Sequence, residues 1–137
     1  MKTLQLPAQI SYMNEAVSFA AQCAKAHGFS DEKILSVELV VEEAFVNVCS
    51  YAYNNEPGVI ELNCITDHNP SGLTIEILDK GKPFDLLSDA PSYVQAVDIS
   101  QRRIGGLGIR LMCNITDKIT YDRLGSSNIV RLTFYKE

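Results

Sequence analysis

This 137-residue chain predicts a two-layer α/β (α+β) sandwich, with helices packed on one face of a mixed, mostly antiparallel sheet. Apolar residues recur at helical spacing in two successive segments before residue 52. After residue 58, segments of period-two alternation follow, separated by clusters of Gly, Asn, Ser and Pro. Helices and strands in that order fold most simply as layers around one core. The length suits a single domain over residues 1–137 that needs no staples.

Residues 2–6 read as a strand ended by Pro7. From Ser11 to His27 the residues Ala16, Val17, Phe19, Ala20, Cys23 and Ala24 share a helical face, and Gly28 suits the C-cap. Ser30-Asp31-Glu32-Lys33 reads as a second helix start, with an N-cap residue and acids in the first turn. That helix is expected to run to about Ala52, before the turn cluster Asn54–Gly58. Strands follow at about 59–66 and 73–79, joined by the polar turn Asp67–Gly72. Between Phe84 and Ile104 no clean period is present, and a loop of ~20 residues in a small domain is usually functional. Helical periodicity resumes from Gly106 to about Asp117, and strands near 118–124 and 128–135 flank Gly125-Ser126-Ser127.

The net charge of −5 argues against a nucleic-acid backbone as ligand, since no basic excess exists to displace counterions. The N-terminus carries no sustained apolar run, so a secretory signal is not expected, and no run reaches the ~20 apolar residues of a membrane span. Cys23, Cys49, Cys64 and Cys113 form no C-x-x-C pair, and His27 and His68 are isolated from them. Zinc is therefore not indicated, and reduced thiols in a cytoplasmic protein are expected.

Three segments carry chemistry. On the second helix, Glu43 and Asn47 are an i,i+4 pair separated by roughly 40°. Both fall at the margin of a core stripe formed by Ile34, Val37, Val41, Phe45 and Val48, while Glu42 faces elsewhere. A carboxylate there can accept a proton, and an amide oxygen one turn on can complete the shell of a magnesium that keeps most of its waters. Taken alone, the pair reads more readily as a surface Glu and a helix-interior Asn. On the strand 73–79, Asp79 continues the apolar face of Leu73, Ile75 and Ile77, so its carboxylate needs a partner such as the exocyclic amine of adenine. Gly81 beside it allows a ligand to approach, although Asp-Lys-Gly-Lys-Pro is equally a common turn composition. Gly105-Gly106-Leu107-Gly108 opens a helix whose backbone N–H groups suit phosphate. Arg102 and Arg103 before it are cationic donors suited to a γ-phosphate, or a solvated surface pair. No Gly-Lys-Ser/Thr is present for a Walker A loop, and Leu111 occupies the third glycine position of a dinucleotide fingerprint. The combination is that of an ATP site.

Together the three segments resemble the GHKL ATPase superfamily, which groups gyrase B, the ninety-kilodalton heat-shock chaperones, histidine kinases and MutL. Glu43-Ala-Phe-Val-Asn47 matches its N box, Asp79-Lys-Gly81-Lys-Pro-Phe84-Asp85 its first glycine box, and Gly106-Leu-Gly108-Ile its second. The spacing is similar to the compact RsbW-type anti-sigma-factor serine/threonine kinases, and the likeness reaches from the first strand to Tyr121-x-Arg123 and the closing strand. The resemblance implies a histidine-kinase-like ATPase fold that binds ATP and Mg2+. It implies Glu43 as catalytic base, Asn47 as magnesium ligand, Asp79 as partner of the adenine amine, and Gly81 and Phe84 in the base pocket. Residues 85–104 would form an ATP lid, with phosphates held by Gly105, Gly106, Leu107 and Gly108 and by one of Arg102 and Arg103. Two departures stand out: Tyr51 occupies a position where many members have histidine, and Ile104 and Gly105 separate Arg103 from Gly106.

The implied partners are an anti-anti-sigma (STAS-type) protein, phosphorylated on Ser or Thr, and a sigma factor, with a homodimer as the family's assembly. A non-catalytic module of the same fold, switching a protein interaction by ATP or ADP occupancy, is the alternative, and Glu43 in register with Asn47 favours the kinase. The ATP-binding half of a histidine kinase ranks last, because no helical hairpin bearing a phosphoacceptor histidine is present.

Overall fold

A computed structural model describes residues 1–54, 56–68, 70–88 and 108–136. The chain opens with strand β1 (Lys2–Pro7), a 3-10 turn (Ile10–Tyr12) and helices α1 (Met13–Ala26) and α2 (Asp31–Asn47). A π-helical segment (Val48–Ala52) prolongs α2. Strands β2 (Val59–His68) and β3 (Ser71–Asp79) follow, then α3 (Ile109–Ile115), β4 (Lys118–Leu124) and β5 (Ser127–Tyr135). No described helix is long and apolar enough to cross a membrane.

The described strands form one sheet in the order β1-β2-β3-β5-β4. Every neighbouring pair in it is antiparallel, so the mixed character expected from the sequence gives way to antiparallel pairing throughout. The helices cover one face. Leu62, Ile77 and Val130 are successive cross-strand partners there, as are Cys64, Ile75 and Leu132, and all are buried. Against these rows pack Ala16 and Ala20 of α1 and Val37, Val41, Ala44 and Phe45 of α2. Each buried Val, Leu, Ile or Phe side chain among these contributes about 1.5–3 kcal/mol relative to exposure, so this face holds the helices in place. The opposite face is polar and bonded across strands: Thr3 meets Asn63, Asn63 meets Glu76, and Arg131 pairs with Glu76 at 2.8 Å.

Several boundaries differ from the expected ones for local reasons. The first helix begins as a 3-10 turn at Ile10, three residues before α-geometry sets in at Met13. β2 and β3 extend into the polar hairpin as far as the pair His68–Ser71, because ladder hydrogen bonding there outweighs the loss of apolar alternation. α3 stops at Ile115, since Thr116 is already extended at ψ 134°. The expected start of that helix at Gly106, and the proposed lid beyond Ser88, fall on residues outside the described ones.

Candidate functional site

α2 starts where the sequence places it, with the Ser30 side chain accepting from the Lys33 amide at 3.2 Å and acids in the first turn, where they oppose the positive helix end. Its first half is amphipathic. From Glu43 to Cys49 every residue is buried, and Glu43 and Asn47 have no exposed surface at all. The expectation of a pair at the margin of the core is thereby corrected. A helical wheel registers one packing face, whereas α2 packs against both α1 and α3, and the π segment that prolongs it accepts the Lys82 amide of the turn after β3.

Burial of the Glu43 carboxylate is costly unless polar partners meet it. The Asn47 side-chain N–H2 donates to Glu43 Oε2 at 2.8 Å and to the Glu43 carbonyl at 2.7 Å. Those two bonds fix the amide plane and hold the carboxylate beside it. Glu42 is half-buried, and its carboxyl is raised by burial and then by the charge of Glu43. It is thus an electrostatic neighbour of Glu43 although it lies on another side of the helix.

After Asn47 the backbone widens into the π segment, where the Tyr53 amide donates to the Val48 carbonyl at 3.2 Å. Such turns recur at functional sites, and this one receives the loop that follows β3. The Tyr51 ring stacks on Phe84 with centroids 5.4 Å apart. The Lys82 amide donates to the Ala52 carbonyl at 2.9 Å. Tyr53 fastens the same region from outside, its hydroxyl donating to the Val59 carbonyl at 2.7 Å and accepting from the Lys80 amide at 2.8 Å.

Gly81 has a structural reason that differs from ligand access. A Cβ at this position would lie 2.4 Å from the Ala52 carbonyl oxygen and 2.7 Å from its carbon. Both are backbone atoms that cannot swing aside. Gly81→Ala is therefore expected to cost about 1–3 kcal/mol as overpacking strain, read as a lower melting temperature without nucleotide. Unchanged thermal stability would show that this turn can shift away from the π segment.

Asp79 ends β3 on the helix-covered face and is 3% exposed. Its Oδ1 accepts from the Gly81 amide at 2.9 Å and from the Asn128 side-chain amide at 2.8 Å. Burial pushes the carboxyl up, while Asn128, Gly81 and the Arg123 charge pull it down, and burial prevails. The buried Cys49 thiol, on the π segment, lies close enough to feel that charge and is pushed up to about 12, mostly by burial and then by Asp79. The end of α2 and the end of β3 therefore enclose one locus.

Asn128 is the residue that sequence reasoning missed. It sits directly opposite Asp79 in the sheet and is 1% exposed. Its amide donates to Asp79 Oδ1 and to the Lys82 carbonyl, both at 2.8 Å. Its oxygen accepts from the Tyr121 hydroxyl at 2.5 Å and from the Phe84 amide at 3.3 Å. Arg123, the next partner across the sheet, donates to the Gly81 carbonyl at 2.8 Å. The loop from Asp79 to Phe84 is thus pinned by β4 and β5 on one side and by the π segment on the other.

Of the second glycine segment only Gly108 is described. Its φ of 86° is a conformation that favours glycine, and it is the N-cap of α3. Arg102, Arg103, Gly105, Gly106 and Leu107 lie outside the described residues. Among the described residues no group of three or more His, Cys, Asp or Glu side chains could hold a metal ion.

Comparison with known proteins bears on this arrangement. Residues 6–134 match the model of the histidine kinase-like ATPase domain. The serine-protein kinase RsbW of Listeria innocua is 31% identical over 128 residues, covering 88% of this chain and 79% of the relative. A serine-protein kinase RsbW from Oceanobacillus iheyensis is 30% identical, covering 85% and 75%. An anti-sigma F factor of Thermoanaerobacter pseudethanolicus is 27% identical over 105 residues, covering 76% and 71%. With the α/β architecture, the antiparallel sheet and nearly the whole chain matched, the protein belongs to the histidine kinase-like ATPase family, in its RsbW-type branch.

Proposed function

We propose that this chain is an ATP-dependent serine/threonine protein kinase of the anti-sigma type, with residues 1–137 acting as a single ATP-binding domain. The observation that supports it most is the meeting of Glu43 and Asn47 with the Asp79 loop across the π segment. Relatives named serine-protein kinase and anti-sigma factor support a protein serine as acceptor and a sigma factor as partner; the acceptor we expect is an anti-anti-sigma (STAS-type) protein carrying the Ser or Thr. A homodimer is the assembly we expect.

In this reading Asp79 accepts from the exocyclic amine of adenine, while Asn128 and the Gly81 amide hold the carboxylate in place. Phe84 and Gly81 line the base pocket, with Tyr51 behind Phe84. Gly105, Gly106, Leu107 and Gly108 present backbone N–H groups to the phosphates, and one of Arg102 and Arg103 meets the γ-phosphate. α3 is seven residues long, so individual N–H groups would act there more than a long helix dipole. Mg2+, when bound, neutralises charge developing between the β- and γ-phosphates. Asn47 would hold it through its amide oxygen, the branch of the planar group opposite the N–H2 that Glu43 engages. Glu43 accepts the proton of the acceptor hydroxyl as that oxygen bonds to the γ-phosphorus. The bond from the γ-phosphorus to the bridging oxygen breaks, and ADP leaves with that oxygen.

The test is incubation with labelled Mg-ATP and candidate partner proteins encoded beside this chain, followed by mapping of the labelled residue. Label on a Ser or Thr of one partner is the expected result. Nucleotide binding without transfer or hydrolysis would replace the kinase by a nucleotide-operated interaction switch.

A further inference from the structure

Cys23 of α1 and Cys64 of β2 take no part in the site above. They are 4% and 5% exposed and border one pocket, and Cys23 lies near enough to help hold the Cys64 thiol protonated. The backbones of α1 and β2 approach within 8 Å, close enough for side chains on both to meet. Both cysteines line a cavity of about 250 Å³ that also touches Lys2, His27 and Thr66. A small solute entering this pocket meets both cysteines. The other two thiols differ in setting: Cys49 is buried beside Asp79, and Cys113 is exposed on α3.

Two thiols bordering one pocket could serve a metal or a redox step. Among the described residues no third ligand joins them in a metal-holding group, which leaves the redox chemistry. We infer that Cys23 and Cys64 form an oxidisable dithiol, a modification site at which a small hydroperoxide entering this cavity produces an intramolecular disulfide.

The step balances. One sulfur, as thiolate, attacks a peroxide oxygen; an S–O bond forms, the O–O bond breaks, and water leaves after protonation. The second sulfur then attacks the sulfenic sulfur, the S–S bond forms, and the hydroxyl departs as a second water. The two thiols lose two electrons in total, and hydrogen peroxide gains them. Burial and the Cys23 contact keep Cys64 protonated, opposed by Lys2 and the α-amino group, so this pair reacts more slowly than an exposed, acidic thiol. The product links α1 to β2 and closes a covalent loop of chain that contains α2, the helix of Glu43 and Asn47.

The experiment uses the full chain with Cys113→Ser, which removes the exposed thiol that could link two molecules. After hydrogen peroxide treatment and alkylation, non-reducing digestion should yield one linked pair of peptides bearing Cys23 and Cys64. Dithiothreitol should release it, and the oxidised protein should melt at a higher temperature than the reduced form. Cys64→Ser should instead leave a sulfenic acid at Cys23 that dimedone traps, and Cys23→Ser the converse. Recovery of both residues fully alkylated after unfolding, or oxidised separately to sulfinic acids in the parent protein, would overturn the inference. So would a disulfide joining either of them to Cys49.

Discussion

Replacing Glu43 by Gln is expected to slow phosphotransfer by roughly 10²–10⁴-fold, the range for loss of a general base, while ATP affinity stays nearly unchanged. The substitution suits the local structure. A Gln oxygen can still accept the 2.8 Å bond from the Asn47 amide, so shape and hydrogen bonding survive and only proton acceptance is lost. Asn47→Ala is a blunter change than loss of a metal ligand alone would be. It removes the amide that holds the Glu43 carboxylate in a site with no exposed surface. A buried carboxylate deprived of such a bond costs about 1–3 kcal/mol or more. Asn47→Ala should therefore lower stability, magnesium-dependent binding and turnover together, and only Glu43→Gln separates chemistry from binding. Glu42→Gln is the control, since Glu42 is half-buried and senses Glu43 only through its charge. Single-turnover phosphotransfer, measured beside calorimetric ATP binding, decides the matter. Full transfer by Glu43→Gln to an identified partner would remove Glu43 from the mechanism.

What the sequence disclosed, and what it did not, follows from the range of the forces involved. Period-two alternation put Asp79 on the same face as Ile75 and Ile77, and the structure buries all three there. The i,i+4 spacing brought Glu43 and Asn47 into contact. Both are consequences of backbone geometry within one element. The same reasoning was available for Asn128, which alternates with Val130, Leu132 and Phe134 and so falls on the buried face of β5. A polar residue at the end of an apolar alternation marks the site in β5 as it does in β3. By contrast, full burial of Glu43 is a tertiary property, and α2 packs against elements distant in the chain, α3 among them. The π turn at Val48–Ala52 was equally invisible, because helical periodicity does not distinguish α from π over five residues. Gly81 was assigned to ligand approach, and its closest constraint is the Ala52 carbonyl.

Asp79→Asn is expected to weaken ATP and ADP alike by roughly 10- to 100-fold, the loss of a hydrogen bond to a charged group, while raising the stability of the nucleotide-free protein. The two effects have one cause. The Oδ1 of Asn can keep its bonds from Gly81 and Asn128, but its N–H2 then faces the base amine, donor against donor. With no nucleotide present, the same change removes a charge whose burial is unfavourable. The carboxyl lies above its ordinary value of 3.8 because burial outweighs Asn128, Gly81 and Arg123. For an acid raised on folding, the native state binds more protons than the unfolded state between the two values. Stability from this group is therefore present below 3.8 and declines as pH rises through the higher native value. Asp79→Asn should abolish that decline, so its melting temperature should exceed the parent's at neutral pH and converge with it in acid. Thermal melts across the acid range and calorimetry with ATP, ADP and GTP test both halves. Unchanged affinity in the variant, or equal affinity of the parent for ATP and GTP, would remove Asp79 from adenine recognition. A variant less stable at neutral pH would mean instead that the carboxylate's bonds to Asn128 and Gly81 outweigh its burial.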